Sequence, residues 1–295
     1  MPNPAVQDRL LSHLQALVGE RHPITSPARL RQAEEYLVET FSQFGLQVAA
    51  HPFMAGGGTY RNVVASLLPT HRAQSRGHVV PPAPLILAAH YDTVEGSPGA
   101  DDNASALAVL LDVARRLRDM DRWREVHCIG FCLEEAGLLG SRAYAAELQA
   151  AGRGIAGALV LECVGFASEQ EGSQIIPPGL PITVPTVGNF LAVVGNTASA
   201  SLTASVTRAA EPHIPVVPLV VPENGDRLPD TRRSDHAAFW DHGFPAVMLT
   251  DTANFRNPNY HRSSDTLETL CLTFLADVAA AVTAAAGHLL LEECK

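Results

Sequence analysis

Positive charge is scarce in this sequence: 21 Lys and Arg stand against 31 Asp and Glu, a net charge of −10. Phosphate backbones would repel such a chain, which argues against a nucleic-acid partner and fits a cationic substrate such as a free peptide amine. Long hydrophobic runs are missing too. No uninterrupted apolar stretch reaches the ~20 residues that span a bilayer, and the N-terminal MPNPAVQDRLLSHLQALVGERHP mixes charges into positions an export signal would keep apolar. No membrane association is expected, and the chain reads as soluble and cytoplasmic. The five cysteines (Cys128, Cys132, Cys163, Cys271, Cys294) are odd in number and show no CxxC spacing. That removes a disulfide framework and a zinc knuckle, leaving small buried hydrophobes in a reducing compartment. No GxSxG elbow occurs. The run Ser234–Asp235–His236 copies only the composition of a catalytic triad, because adjacent residues rarely converge as one.

What is present is a core. Hydrophobic residues make up 46% of the 295 positions and charged residues 18%, enough for a folded α/β domain. Helical spacing marks 5–18 and 27–45, the latter through Leu30, Ala33, Leu37 and Phe41 before Gly45. Strands follow at 46–53 and 62–68 around the turn Gly56–Gly58, then a Pro-, Arg- and Ser-rich excursion over 71–84. Short continuous apolar runs at 84–90, 126–133, 158–162, 190–194 and 246–250 read as strands buried on both faces. Helices at 105–120, 137–151 and 269–291 alternate with them. The alternation predicts an α/β fold in three layers, a mixed and mostly parallel central sheet flanked by helices. No composition break appears, so 1–295 reads as a single domain. The segments 175–185 and 212–233 read as long loops of the kind that carry function.

Five places put polar residues where buried strands end, which is where ligands bind in open α/β sheets. They are LAAHYDT with His90 and Asp92, GADDNAS with Asp101 and Asp102, FCLEEAGLLGS with Glu134 and Glu135, LVLECVGF with Glu162, and NPNYHRSSDT with His261 and Asp265. Singly, each has an ordinary explanation: a satisfied histidine, an Asp capping a helix, solvated glutamates. Glu162 resists that treatment, since a carboxylate inside an apolar run needs a charged partner or a metal. Together, two histidines and three carboxylates form a donor set that suits zinc, and one bridging carboxylate would hold two ions ~3.5–4 Å apart. Asp92, two residues from His90 on the same face of the strand, is placed to accept the imidazole's other N–H. Glu134 and Glu135 serve one site only if the backbone leaves β geometry there.

These residues resemble the M28 family of zinc peptidases, of the bacterial aminopeptidase type. The family's HxD is similar to His90–Tyr91–Asp92, and its GADDxASG to Gly99 through Ser105, with Ala106 in place of the final glycine. EExGLxGS is similar to Glu134 through Ser141, SDH…F…G.PA to Ser234 through Ala246, and YHxxxDT to Tyr260 through Thr266. The matches run in order from about residue 30 to residue 275. The resemblance implies two zinc ions held by His90, Asp102, Glu135, Glu162 and His261, with Asp102 bridging. It leaves open whether His90 shares its ion with Glu162 or with Glu135. It also implies Glu134 as general base, Asp92 orienting His90, and a peptide or aminoacyl substrate, and says nothing of oligomeric state.

Two departures stand out. Glu162 replaces the Asp of many members, and no tyrosine precedes SDH to stabilise an oxyanion, which leaves Arg233 as the substitute there. Asp101 is a candidate for the substrate amine and Arg256 for a substrate carboxylate, while loops 166–190, 212–233 and 254–259 would shape the side-chain pocket. The expected activity is release of N-terminal residues. Alternatives are carboxypeptidase, dipeptidase or glutaminyl cyclase chemistry on the same scaffold, or a non-catalytic peptidase-like binding module.

Overall fold

The computed structural model describes residues 4–70, 82–180 and 182–291. Residues 71–81 of the expected excursion, and Cys294, lie outside them. Among the described residues, seven α-helices and eight strands follow in the order α1 (Pro4–Leu17), α2 (Pro27–Gln43), β1 (Gln47–Ala55), β2 (Gly58–Leu67), β3 (Leu85–His90), α3 (Ala106–Arg118), β4 (Val126–Phe131), α4 (Leu139–Ala150), β5 (Gly157–Glu162), β6 (Leu191–Asn196), α5 (Ala200–Ala210), β7 (Val216–Val221), α6 (His236–Asp241), β8 (Ala246–Thr250) and α7 (Leu272–Leu291).

All eight strands form one sheet, ordered β1-β2-β4-β3-β5-β8-β6-β7. The central run β4, β3, β5, β8 is parallel, as is the pair β6–β7, while β1–β2, β2–β4 and β8–β6 are antiparallel. The sheet is mixed and mostly parallel, as expected. Alternation along the strands explains the three layers. Leu85, Leu87, Leu159, Leu161 and Val193 face a core shared with α1, α2, α3, α5 and α7. Ile86, Ala88, Ile129, Val160 and Met248 face a second core with Tyr144 and Leu148 of α4 and Phe239 and Trp240 of α6. The continuous apolar runs are therefore strands covered twice.

Local chemistry sets the ends of elements. Gly56 (φ 54°) and Gly57 (φ 80°) make the two-residue turn joining β1 to β2, so β2 starts at Gly58 rather than at residue 62. The buried carboxylate of Asp112 on α3 accepts from Arg116 at 2.6 Å and from Arg9 of α1 at 2.9 Å, tying the two helices together.

Three differences from the sequence reading have physical reasons. The segment 212–233 is not all loop: it contains β7, an edge strand that tolerates Pro218 because an edge strand can leave one row of amides unpaired. Helix α5, ASLTASVTRAA, was not expected, because most of its residues are small or polar and Leu202 and Val206 are its large apolar side chains. Helix α7 is 20 residues long with mean hydropathy 1.7, long and apolar enough to cross a membrane by composition, although Asp277 interrupts its apolar run. In the fold 67% of its most apolar 18-residue window is buried, and the helix packs against α1, α3 and α5.

Candidate metal centre

The parallel strands end on a common rim. His90 is the last residue of β3 and Glu162 the last of β5. The chain leaves β4 at Phe131, and Leu133 at φ 61° breaks the pleat before Glu134 and Glu135. Both glutamates are thereby freed from pointing to opposite faces. The carboxylate of Asp92 fixes this turn: Oδ1 accepts the amide of Glu134 at 3.0 Å and Oδ2 that of Glu135 at 3.1 Å.

Asp102 sits in an irregular turn before α3, with φ −106° and ψ 89°. Asp265 holds that turn by its amides, Oδ1 accepting from Asp101 at 2.9 Å and Oδ2 from Asp102 at 3.2 Å. The Asp102 side chain then faces two histidines from opposite sides. Its Oδ1 lies 3.2 Å from Nε2 of His90, and its Oδ2 lies 3.0 Å from Nε2 of His261. Glu162 Oε2 joins the first histidine at 3.4 Å and Glu135 Oε2 the second at 3.2 Å. The structure thus groups His90 with Glu162 and His261 with Glu135. Glu134 stands further back, its Oε2 3.9 Å from His90 Nε2.

The donor chemistry fits cations. Nε2 of His90, both oxygens of Asp102 and Oε1 of Glu135 are buried without hydrogen-bond partners, a costly state for polar atoms unless something else satisfies them. Separations of 3.0–3.4 Å match the edge of about 3.3 Å expected of a tetrahedron with bonds near 2.05 Å. Charge argues the same way, since two imidazoles face the four carboxylates Asp102, Glu134, Glu135 and Glu162. Burial alone would lower His261, but the Asp102 and Glu135 carboxylates beside its ring push it up to about 10. Burial, then Asp102, raises Glu135 to about 7. Burial also carries Glu134 well above the usual carboxylate range. The cluster takes up protons where it lacks positive charge, and a divalent cation reverses that tendency.

Other expected residues behave differently. Nδ1 of His90 lies 3.2 Å from the backbone carbonyl of Asp92 and 3.6 Å from its carboxylate. Asp92 therefore orients His90 with its carbonyl, leaving Nε2 as the free lone pair, and uses its carboxylate on the glutamate turn. Asp101 is not placed for a substrate amine. It is 1% exposed, and its oxygens accept from Gly165 N at 2.8 Å and Asn257 Nδ2 at 2.7 Å. Arg256 is not placed for a substrate carboxylate either. Its guanidinium is buried, donates to Gln174 at 3.0 Å and stacks over Phe190 at 4.5 Å. Ser234 and His236 do not meet. Ser234 donates to Glu162 Oε2 at 2.7 Å, and His236 Nε2 lies 2.8 Å from the carbonyl of Thr231. Ser234 and Tyr260, the latter stacked on His261 at 3.9 Å, are site residues that sequence reasoning missed. Their signal was membership of the SDH and YHxxxDT motifs themselves. Cys128, Cys132 and Cys163 are buried free thiols, and Cys271 is partly buried.

Beside Glu162 opens a cavity of about 310 Å³. Leu180, Val184, Phe190, Val194, Leu228 and Met248 make its walls, with Arg233 and Tyr260 also lining it. All three loops expected to shape a pocket contribute. Arg233 is held there by Asn254 Oδ1 at 2.7 Å and the Tyr260 hydroxyl at 3.1 Å.

The uncharacterised protein YfbL of Escherichia coli strain K12 is 31% identical over 94% of this chain and 86% of its own length. The chain spans about half the length of the fungal leucine aminopeptidases it matches, 46% for that of Metarhizium robertsii. A zinc aminopeptidase from Bacillus subtilis superposes with a TM-score of 0.60 at 25% identity, covering 81% of this chain and 52% of that one. Glutaminyl cyclase from Porphyromonas gingivalis superposes with a TM-score of 0.65 at 19% identity over 95% of both chains, a likeness of fold. A sequence model of peptidase family M28 matches residues 62–286, and the chain belongs to that family.

Proposed function

We propose that this protein is a two-zinc aminopeptidase that removes apolar residues from peptide N-termini. The observation that carries the reading is the divided carboxylate of Asp102, with His90 against one oxygen and His261 against the other. His90, Glu162 and Asp102 Oδ1 would hold one ion; His261, Glu135 and Asp102 Oδ2 the other. Bound zinc supplies a water whose pKa falls toward ~7 and a Lewis acid for the scissile carbonyl.

The chain's own groups do the rest. Glu134, 7% exposed and backed by the Asp92-braced turn, takes the proton of the attacking water and returns it to the leaving amine. Ser234 steadies Glu162 through its 2.7 Å bond. Burial keeps the Tyr260 phenol protonated, and Arg233 donates to its oxygen, so its proton is free to meet the developing oxyanion. That assigns to Tyr260 the task left open by the missing tyrosine before SDH. The aliphatic cavity beside Glu162 receives the first side chain.

Glu134→Gln tests the reading. Zinc content should persist while hydrolysis of leucyl anilide falls by 10²–10⁴-fold, and N-acetylated leucyl anilide should be inert with the wild type. Turnover of N-terminal glutaminyl peptides to pyroglutamyl products, without anilide hydrolysis, would favour glutaminyl cyclisation instead.

A further inference from the structure

Arg21 lies in the loop between α1 and α2, outside the span matched by the family, and is fully buried at 0% exposure. Among the described residues no carboxylate pairs with it directly. Its guanidinium instead donates to backbone carbonyls: Nε to Tyr91 at 2.8 Å, Nη1 to Leu17 at 2.6 Å, Gly19 at 2.8 Å and Pro98 at 3.1 Å, and Nη2 to Gly99 at 3.0 Å. Its own amide donates to Thr93 Oγ1 at 2.9 Å. A fork of five N–H groups suits this task, and no other side chain offers it.

Two of those carbonyls matter to the centre. Tyr91 directly follows His90 at the end of β3, and Gly99 opens the turn that presents Asp102. One guanidinium thus joins the strand carrying the first histidine to the turn carrying the bridging carboxylate. Asp265 grips the amides of that turn and Arg21 its carbonyls, so the turn is clamped by a negative group on one side and a positive group on the other. The contact admits no slack. A Cβ on Gly99 would come within 2.4 Å of the Asp102 carbonyl oxygen, 2.4 Å of Thr93 Cγ2 and 2.8 Å of Arg21 Nη2. The buried charge also lies within electrostatic reach of Asp102, Asp92 and Asp265, so it offsets part of the negative charge gathered above it.

We infer that Arg21 is a positioning residue that sets the spacing of His90 and Asp102 and, through it, how tightly the centre binds its cation. The inference rests on the metal-centre reading. Arg21→Lys keeps the charge and loses the fork, while Gly99→Ala keeps Arg21 and displaces the same turn. Arg122 serves as a control for burial alone: it is 8% exposed and likewise donates to backbone carbonyls, those of Leu68, Leu117, Arg118 and Met120, outside the centre.

The experiment is zinc titration against a competing chelator, with thermal unfolding of the metal-stripped proteins alongside. Both Arg21→Lys and Gly99→Ala should weaken zinc binding by about 10–100-fold, whereas Arg122→Lys should lower the unfolding temperature and leave zinc affinity unchanged. If Arg21→Lys fails to fold, Gly99→Ala carries the test. Wild-type affinity in a folded Gly99→Ala protein, or an equal loss in Arg122→Lys, overturns the inference. A wild-type chain that takes up no zinc sinks the metal reading itself, and the role of Arg21 with it.

Discussion

Asp92 accepts the backbone amide of Glu134 at 3.0 Å, so the residue two positions beyond one metal-facing histidine fixes the residue proposed as base. The bond runs between the end of β3 and the turn after β4, neighbouring strands in register through His90 and Phe131. Position of the base and orientation of the histidine therefore depend on one side chain and its own carbonyl.

Asp92→Asn tests that dependence. An amide presents an N–H₂ to one of the two backbone N–H groups that the carboxylate now satisfies, so the glutamate turn must shift. Activity should fall about 10–100-fold with the fold intact by circular dichroism. Unchanged kcat/KM would show that the turn stands without Asp92.

The cavity makes a separate claim about substrate. Val194 lies on its wall, on β6, and Val194→Trp would fill it from the sheet side. Leucyl and phenylalanyl anilides should lose tenfold or more in kcat/KM, of the order that hydrophobic pockets discriminate, while alanyl anilide changes little. Equal losses on all three would remove the cavity from substrate recognition.

Stability should respond to acid at a place remote from the centre. Burial between α1 and α2 holds the His13 imidazole down at about 4, against an ordinary 6.5. The folded value is depressed, so the unfolded chain binds the proton first as pH falls. The contribution is complete above about 6.5 and is withdrawn as pH drops toward 4, by up to about 3 kcal/mol. Urea unfolding of the metal-stripped protein at pH 7 and 4.5 should show a smaller loss for His13→Gln than for the wild type. Identical losses would place the proton uptake elsewhere.

Much of this was legible in the sequence. The runs at 84–90 and 158–162 announced strands covered on both faces, and their last residues, His90 and Glu162, are where the site lies. The convergence of His90, Asp102, Glu135, Glu162 and His261 was legible because each is a strand-end or turn residue, and nothing else explained Glu162 within LVLECV. The pairing of these side chains was not, because it depends on which way the carboxylate of Asp102 turns in a backbone of irregular φ and ψ. Asp101 and Arg256 misled for a common reason. Polar residues beside a site can face it or brace it, and adjacency does not distinguish Asp101, held by Gly165 and Asn257, from Asp102, left bare. Arg21 left no trace either, because its partners are main-chain carbonyls that no side-chain pattern encodes.

The most direct measurement is metal stoichiometry. Purified protein equilibrated with zinc, freed of excess and analysed by inductively coupled plasma mass spectrometry should hold two ions per chain, and His261→Ala should hold one. Saturation of the wild type at a single ion, or at none, would contradict a centre built around the two faces of Asp102.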